Sequence, residues 1–206
     1  MRNPLPWLKP AVFVGSLIPL AVVVYRCTHD NVPDRIALLL NTTGLLALIL
    51  LMATLACTPL KLITGWTWPL RLRRMLGLFA FFYALFHFQV YVGLDKELFH
   101  GSPVKAVWKE VVEDITERKF ILVGFAAFLI LLPLAFTSTA GMVRALGAKR
   151  WQALHRLAYV AATLGVVHFI LRVKADTREP LIYGGVLVSL LLIRRIYARR
   201  DKALGS

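Results

Sequence analysis

Six long apolar stretches, at roughly residues 8–25, 36–60, 75–94, 120–139, 152–171 and 181–197, constrain this chain more than anything else in it. A helix rising 1.5 Å per residue needs about 20 apolar residues to cross a hydrocarbon core of about 30 Å, and each stretch is of that order. Six crossings joined by short polar connections use nearly all of the 206 residues. The expected fold is an all-α integral membrane protein, a six-helix bundle forming a single transmembrane domain over 1–206. A nucleotide-binding domain would need a strand-and-helix framework, and the sequence has none. The opening MRNPLPWLKP runs into an apolar segment with no small-residue cleavage site after it, so it reads as an uncleaved first helix.

The net charge of +14 would suit a nucleic-acid binder, but its placement points elsewhere. With the N-terminus inside, the inner loops and tails hold fifteen of the 25 cations and, of the eleven acids, only Asp201. The inner side then carries the whole excess and the outer side balances to zero. That asymmetry is the positive-inside pattern, which predicts both termini in the cytoplasm and no nucleic-acid partner. Cys27 and Cys57 fall at opposite ends of the membrane and read as ordinary small residues rather than a disulfide. Between the third and fourth stretches, residues 103–119 are too polar to span. Val104, Val107, Trp108, Val111, Val112 and Ile115 nevertheless recur there at helical spacing among charges, which predicts an amphipathic helix on the outer membrane surface.

Position separates the five histidines. His29 and His100 lie in outer loops, whereas His87, His155 and His168 fall inside spans, where ionisable groups are costly and tend to be functional. A lone histidine there is equally well read as a helix-to-helix hydrogen bond. Depth favours more than that. His87 lies thirteen residues from Arg74 at the inner end of its helix, and His168 lies thirteen beyond His155 in a helix of the same direction, so each sits about 20 Å outward and the two can meet at one level. Two neutral imidazoles from facing helices suit a six-coordinate haem iron built for electron transfer. Phe79, Phe81, Phe82, Phe86 and Phe88 surround His87 in sequence, and Gly165, one turn before His168, leaves room for a macrocycle.

His155 fits less simply. On an ideal helix it stands about 140° away from His168, and the positions that would carry its partner hold Arg73 and Arg74. It is a ligand of a second, inner haem with an unusual partner, a haem propionate contact, a quinol proton acceptor or a flavin contact. Among the inner cations Arg71, Arg73, Arg74, Arg144, Lys149 and Arg150, which serve topology, Arg73, Arg74 and Arg150 adjoin the helix ends that carry histidines and are candidates for binding anionic groups.

The segments CTPLKL (57–62), RRMLGL (73–78), LFHF (85–88), LAFTSTAGMVRALGAKRWQALHRLAYV (134–160), VVHFI (166–170) and PLIYGG (180–185) together resemble the MsrQ (YedZ) family over nearly the whole chain. The resemblance implies a ferric-reductase-like transmembrane fold, related to the haem domain of NADPH oxidases, in the bacterial inner membrane. It implies haem b, one or two, with His87, His155 and His168 as axial ligands, and it implies FMN. It also implies electron transfer from the quinone pool or a cytoplasmic flavin reductase to a periplasmic molybdenum enzyme, MsrP, that repairs oxidised methionine. The family departs from four-histidine oxidases at Arg73 and Arg74.

The chain has no site for a molybdenum cofactor, which makes it a redox subunit and not itself the reductase of methionine sulfoxide. The alternative is a self-standing transmembrane ferric or oxygen reductase of the same fold, which calls for a cytoplasmic FAD and NADPH domain. A transporter would be expected to place paired acids within its helices, and the six stretches contain none.

Overall fold

The computed structural model describes the backbone of residues 5–173 and 175–204; Arg2 and Lys174, which enter the charge count, lie outside the described residues, as do the side chains of Asp201 and Lys202. Nine α-helices follow one another among the described residues: α1 (Leu5–His29), α2 (Arg35–Thr64), α3 (Trp68–Val90), α4 (Val104–Glu117), α5 (Lys119–Phe136), α6 (Ala140–Leu146), α7 (Ala148–His155), α8 (Leu157–Arg172) and α9 (Arg178–Leu204). Six spans are long and apolar enough to cross a membrane: α1, α2, α3 with its continuation to Asp95, α5, α7 with α8, and α9.

Local chemistry sets the ends. Asp34 caps α2 by accepting from the Ala37 N–H at 2.8 Å, and the helix stops at Gly65, whose φ of +75° is a left-handed conformation that glycine adopts without a Cβ penalty. Pro69 in the first turn of α3 costs no hydrogen bond there. Hydroxyls inside the spans turn back on their own helix: Ser16 to Val12 O, Thr43 to Leu39 O, Thr54 to Leu50 O and Thr137 to Pro133 O, all within 2.6–2.8 Å. This satisfies each polar group where no water is available to do so.

Packing pairs α2 with α3 and α5 with α8, and these two pairs close on each other. Leu48, Leu51, Met52 and Leu55, spaced i, i+3, i+4 and i+7 on α2, meet Ala80, Leu131, Ala161, Ala162 and Val166 in the core. The outer helices α1 and α9 turn Val14, Ile18 and Val22, and Ile182, Val186 and Ile196, outward, as lipid-facing helices do. Tyr83, fully buried, ties α3 to α1 by donating its hydroxyl to Ser16 O at 2.5 Å.

Three elements differ from the sequence expectation. The span expected at 152–171 begins at Ala148 and is broken between His155 and Leu157, so α7 and α8 are separate helices. The basic loop before it contains the short α6, capped by Thr139, whose hydroxyl accepts from Met142 N–H. The amphipathic segment forms as α4, but its apolar face is held by protein. Val107 and Val111 are buried against Val92, Phe88, Tyr91 and Leu98, where α3 loosens into a π turn (Tyr91–Asp95). Asp114 locks it there, accepting from Tyr91 Oη at 2.7 Å and pairing with Lys96 at 2.7 Å and Arg118 at 3.1 Å. A second stripe, Val104, Trp108 and Val112, stays exposed.

Candidate cofactor site

Helices α3 and α8 bring His87 and His168 together with ring centroids 6.3 Å apart and ring planes at 86°. The Nδ1 of His87 lies 2.9 Å from Leu40 O, and the Nδ1 of His168 lies 2.6 Å from Phe120 O. A carbonyl oxygen only accepts, so each Nδ1 carries the proton and each Nε2 keeps its lone pair. Thr43 makes the same assignment for His87. Its hydroxyl hydrogen goes to Leu39 O at 2.6 Å, so toward His87 Nδ1 at 3.3 Å it is an acceptor.

These features fit a metal held between the two imidazoles. Two metal–imidazole bonds of about 2 Å, with about 1 Å more from each nitrogen to its ring centre, place the centroids about 6 Å apart. Among the described residues no three or more of His, Cys, Asp and Glu converge. Space for a macrocycle is present: a cavity of about 580 Å³ surrounds the two rings, where Gly44, Ala84, Gly124, Ala127, Ala161 and Gly165 leave a slot that Phe88, Phe125 and Phe128 border. Charged groups, Arg118 and Arg172 with Asp95, Asp176 and Glu179, gather at its α4 end.

A second cavity, of about 700 Å³, lies toward the end of the bundle that bears the chain termini. His155 lines it together with Arg73, Arg74, Arg144, Arg156 and Arg194. Here the hydrogen bonding is reversed. Thr137 Oγ1 donates to Pro133 O, so at 3.1 Å it accepts from Nε2–H of His155, which binds up the nitrogen that the other two histidines leave free. The His155 ring stacks on Trp151 with centroids 3.9 Å apart, and Trp151 Nε1 donates to Thr137 O at 2.8 Å, so one residue at the end of α5 holds both rings. No second histidine or cysteine is among the residues lining this cavity. Arg194 meets Tyr159 both through its hydroxyl and across its ring face.

The structure therefore brings together His87 and His168, and separately His155 with Arg73 and Arg74; Arg150 is exposed and does not line the second cavity. Of the phenylalanines near His87 in sequence, only Phe88 borders the first cavity; Phe81 lines the second, and Phe79 packs on Phe13. Gly165 does line the slot. Sequence reasoning missed Thr43, Thr137 and the two glycines Gly44 and Gly124. The available signal was a glycine inside an apolar span at the depth of a histidine, which Gly44 and Gly124 share with Gly165.

The family model for ferric reductase like transmembrane components matches residues 43–166, a stretch that contains His87 and His155. The chain is 50% identical to the protein-methionine-sulfoxide reductase heme-binding subunit MsrQ of Rhodospirillum rubrum, covering 95% of this chain and 90% of that one. The proteins of the same description from Herminiimonas arsenicoxydans (43% identical, covering 95% and 88%) and Deinococcus radiodurans (44%, covering 94% and 93%) align over a comparable extent. Identity at this level over most of both chains, on a six-span bundle, means that this chain belongs to the MsrQ family within the ferric-reductase-like transmembrane components.

Proposed function

We propose that this chain is the haem b subunit of a methionine sulfoxide reductase system. In this reading it sits in the bacterial inner membrane with both termini cytoplasmic, and passes electrons from the quinone pool or a cytoplasmic flavin reductase to a periplasmic molybdenum-dependent reductase of the MsrP type, which repairs oxidised methionine in proteins. The observation that carries it is the His87–His168 pair, set 6.3 Å apart with both Nδ1 atoms tied to carbonyls.

Bound there, haem would supply an iron that exchanges single electrons. His87 and His168, which both line the slot, would hold the iron through the Nε2 lone pairs that their Nδ1–H bonds leave free. Small and aromatic residues make up much of the slot's lining, and the apolar setting of such a centre governs its potential. Arg118 and Arg172 at the α4 end are placed to pair with carboxylate side arms.

At the other end, Arg73 and Arg74, with the three further arginines of the second cavity, suit an anionic electron donor such as FMN through charge-assisted hydrogen bonds. Arg150, exposed beside Trp151, belongs in this reading to the docking rim for a cytoplasmic donor. A quinol releases protons with its electrons. His155, whose Nε2–H is held by Thr137, offers Nδ1 as the acceptor. A ligand role for His155 would require this bond to break.

The test is the visible spectrum of the purified protein before and after dithionite. A Soret band that shifts on reduction, with a sharp α band, is the expected result. Colourless protein after expression with ample haem would overturn the reading.

A further inference from the structure

Gly44 and Gly124 stand in the same relation to the two imidazoles. A Cβ built on Gly44 would come within 3.1 Å of Nδ1 and Cε1 of His87, and one built on Gly124 within 2.6 Å of Nδ1 and 2.8 Å of Cε1 of His168. The carbonyl that accepts from His87 belongs to Leu40, four residues before Gly44; the one that accepts from His168 belongs to Phe120, four residues before Gly124. The coincidence has a geometric cause. In an α-helix the Cα–Cβ bond tilts toward the N-terminus, so the side chain at i+4 overlies the carbonyl of residue i. That carbonyl already takes the i+4 N–H, and its second lone pair is screened from the side. A glycine at i+4 removes the screen and lets an imidazole from the neighbouring helix lie against the backbone and donate to it.

We propose that Gly44 and Gly124 are positioning residues: each opens a helix carbonyl that fixes the Nδ1–H tautomer and the rotation of one histidine, which leaves both Nε2 lone pairs free on rings 6.3 Å apart with planes crossed at 86°. The seats exist in the helix pairs themselves, α2 with α3 and α5 with α8, while the metal they serve rests on the haem reading above. They are unequal. Gly124 is the tighter, since a contact under 3.0 Å cannot be accommodated without movement, and its histidine has the carbonyl alone. At Gly44 a few tenths of an ångström suffice, and Thr43 offers a second acceptor.

The experiment compares Gly124→Ala and Gly44→Ala with Gly185→Ala, where an added Cβ would meet nothing within 4 Å. Haem affinity, midpoint potential and the low-spin EPR signal are read on protein purified with haem. The imidazole ¹⁵N shifts of histidine-labelled protein are read without it. Crossed ring planes predict a strongly anisotropic low-spin signal in the parent chain. Gly124→Ala is expected to lower haem affinity about tenfold or more. A weakened Nδ1–H bond makes the ligand less basic, so the potential rises, and the anisotropy falls as the ring turns. Gly44→Ala is expected to move the same quantities less, and Gly185→Ala not at all.

In the haem-free spectra the parent shows the Nδ1–H tautomer for His87 and His168, and each Ala variant loses it at its own histidine. Should Gly124→Ala fail to accumulate, the milder Gly44→Ala carries the test. Parental tautomers, potential and EPR in both variants overturn the proposal. A parent chain that binds no haem but shows these tautomers refutes the haem reading and leaves the seats standing.

Discussion

Two cavities of the bundle are lined by intramembrane histidines, His87 and His168 in one and His155 in the other, and they treat the imidazole in opposite ways. Around His87 and His168 the protein spends backbone carbonyls on Nδ1, leaves Nε2 bare and clears space with small residues. Around His155 a threonine hydroxyl takes Nε2–H, a tryptophan covers the ring and five arginines line the walls. The two cavities therefore differ in which imidazole nitrogen the neighbouring helix engages. In the function proposed above, the first arrangement serves a metal and the second an anion and a proton.

The sharpest way to break this comparison is by substitution of the histidines. His87→Ala or His168→Ala should abolish the bis-imidazole haem signal entirely, while His155→Ala keeps it; equal loss from all three in the absorption spectrum would erase the distinction. The roof of the first cavity comes next. Burial pushes the Asp114 carboxyl up, but hydrogen bonds from Lys96 and Tyr91 and the charges of Lys96 and Arg118 outweigh it and hold the group below the usual carboxylate range. Its ionised form therefore stabilises the docked α4 at pH values above the ordinary carboxylate pKa, and that contribution is lost as pH falls through the lowered value. Asp114→Asn should loosen α4 by about 2 kcal/mol, seen as faster amide exchange over Val104–Glu117 at neutral pH. Exchange at the second cavity should be unaffected.

A smaller effect is expected at the arginines. Arg73→Gln combined with Arg74→Gln should weaken binding of FMN about tenfold by fluorescence titration, since about 1.4 kcal/mol of charge-assisted pairing is lost. The haem spectrum should stay parental. The smallest effect belongs to Thr43→Val, which keeps the shape and removes only the longer of the two acceptors of His87. A change of about 0.5 kcal/mol in haem affinity is expected, against a larger one for Gly44→Ala.

Much of this was legible in the sequence because lipid makes composition speak. Six apolar lengths give six spans, and a histidine in such a length announces a cost that only function or a partner explains. Depth counting even paired His87 with His168, because helix rise is a constant. It gave the wrong surroundings, assigning Phe79 and Phe81 to that site when they face α1 and the second cavity, because which way a residue faces depends on how the helices are rotated about their axes. The break between α7 and α8 was hidden for a related reason: no proline or glycine marks it, and the bonds of Thr137 to Trp151 and His155 bind that turn to α5 instead.

The sequence by itself determined the solvent, the number and order of the spans and the depth of each histidine, since all of these follow from hydrophobicity and a fixed rise along one chain. Only the tertiary structure decided which nitrogen of each imidazole is free, because that depends on a carbonyl or hydroxyl more than forty residues away for His87 and His168, and on Thr137 at the end of α5 for His155. The glycines that uncover those carbonyls look in the sequence like any small residue of a membrane helix. Their purpose appears when a neighbouring helix sets its ring against them.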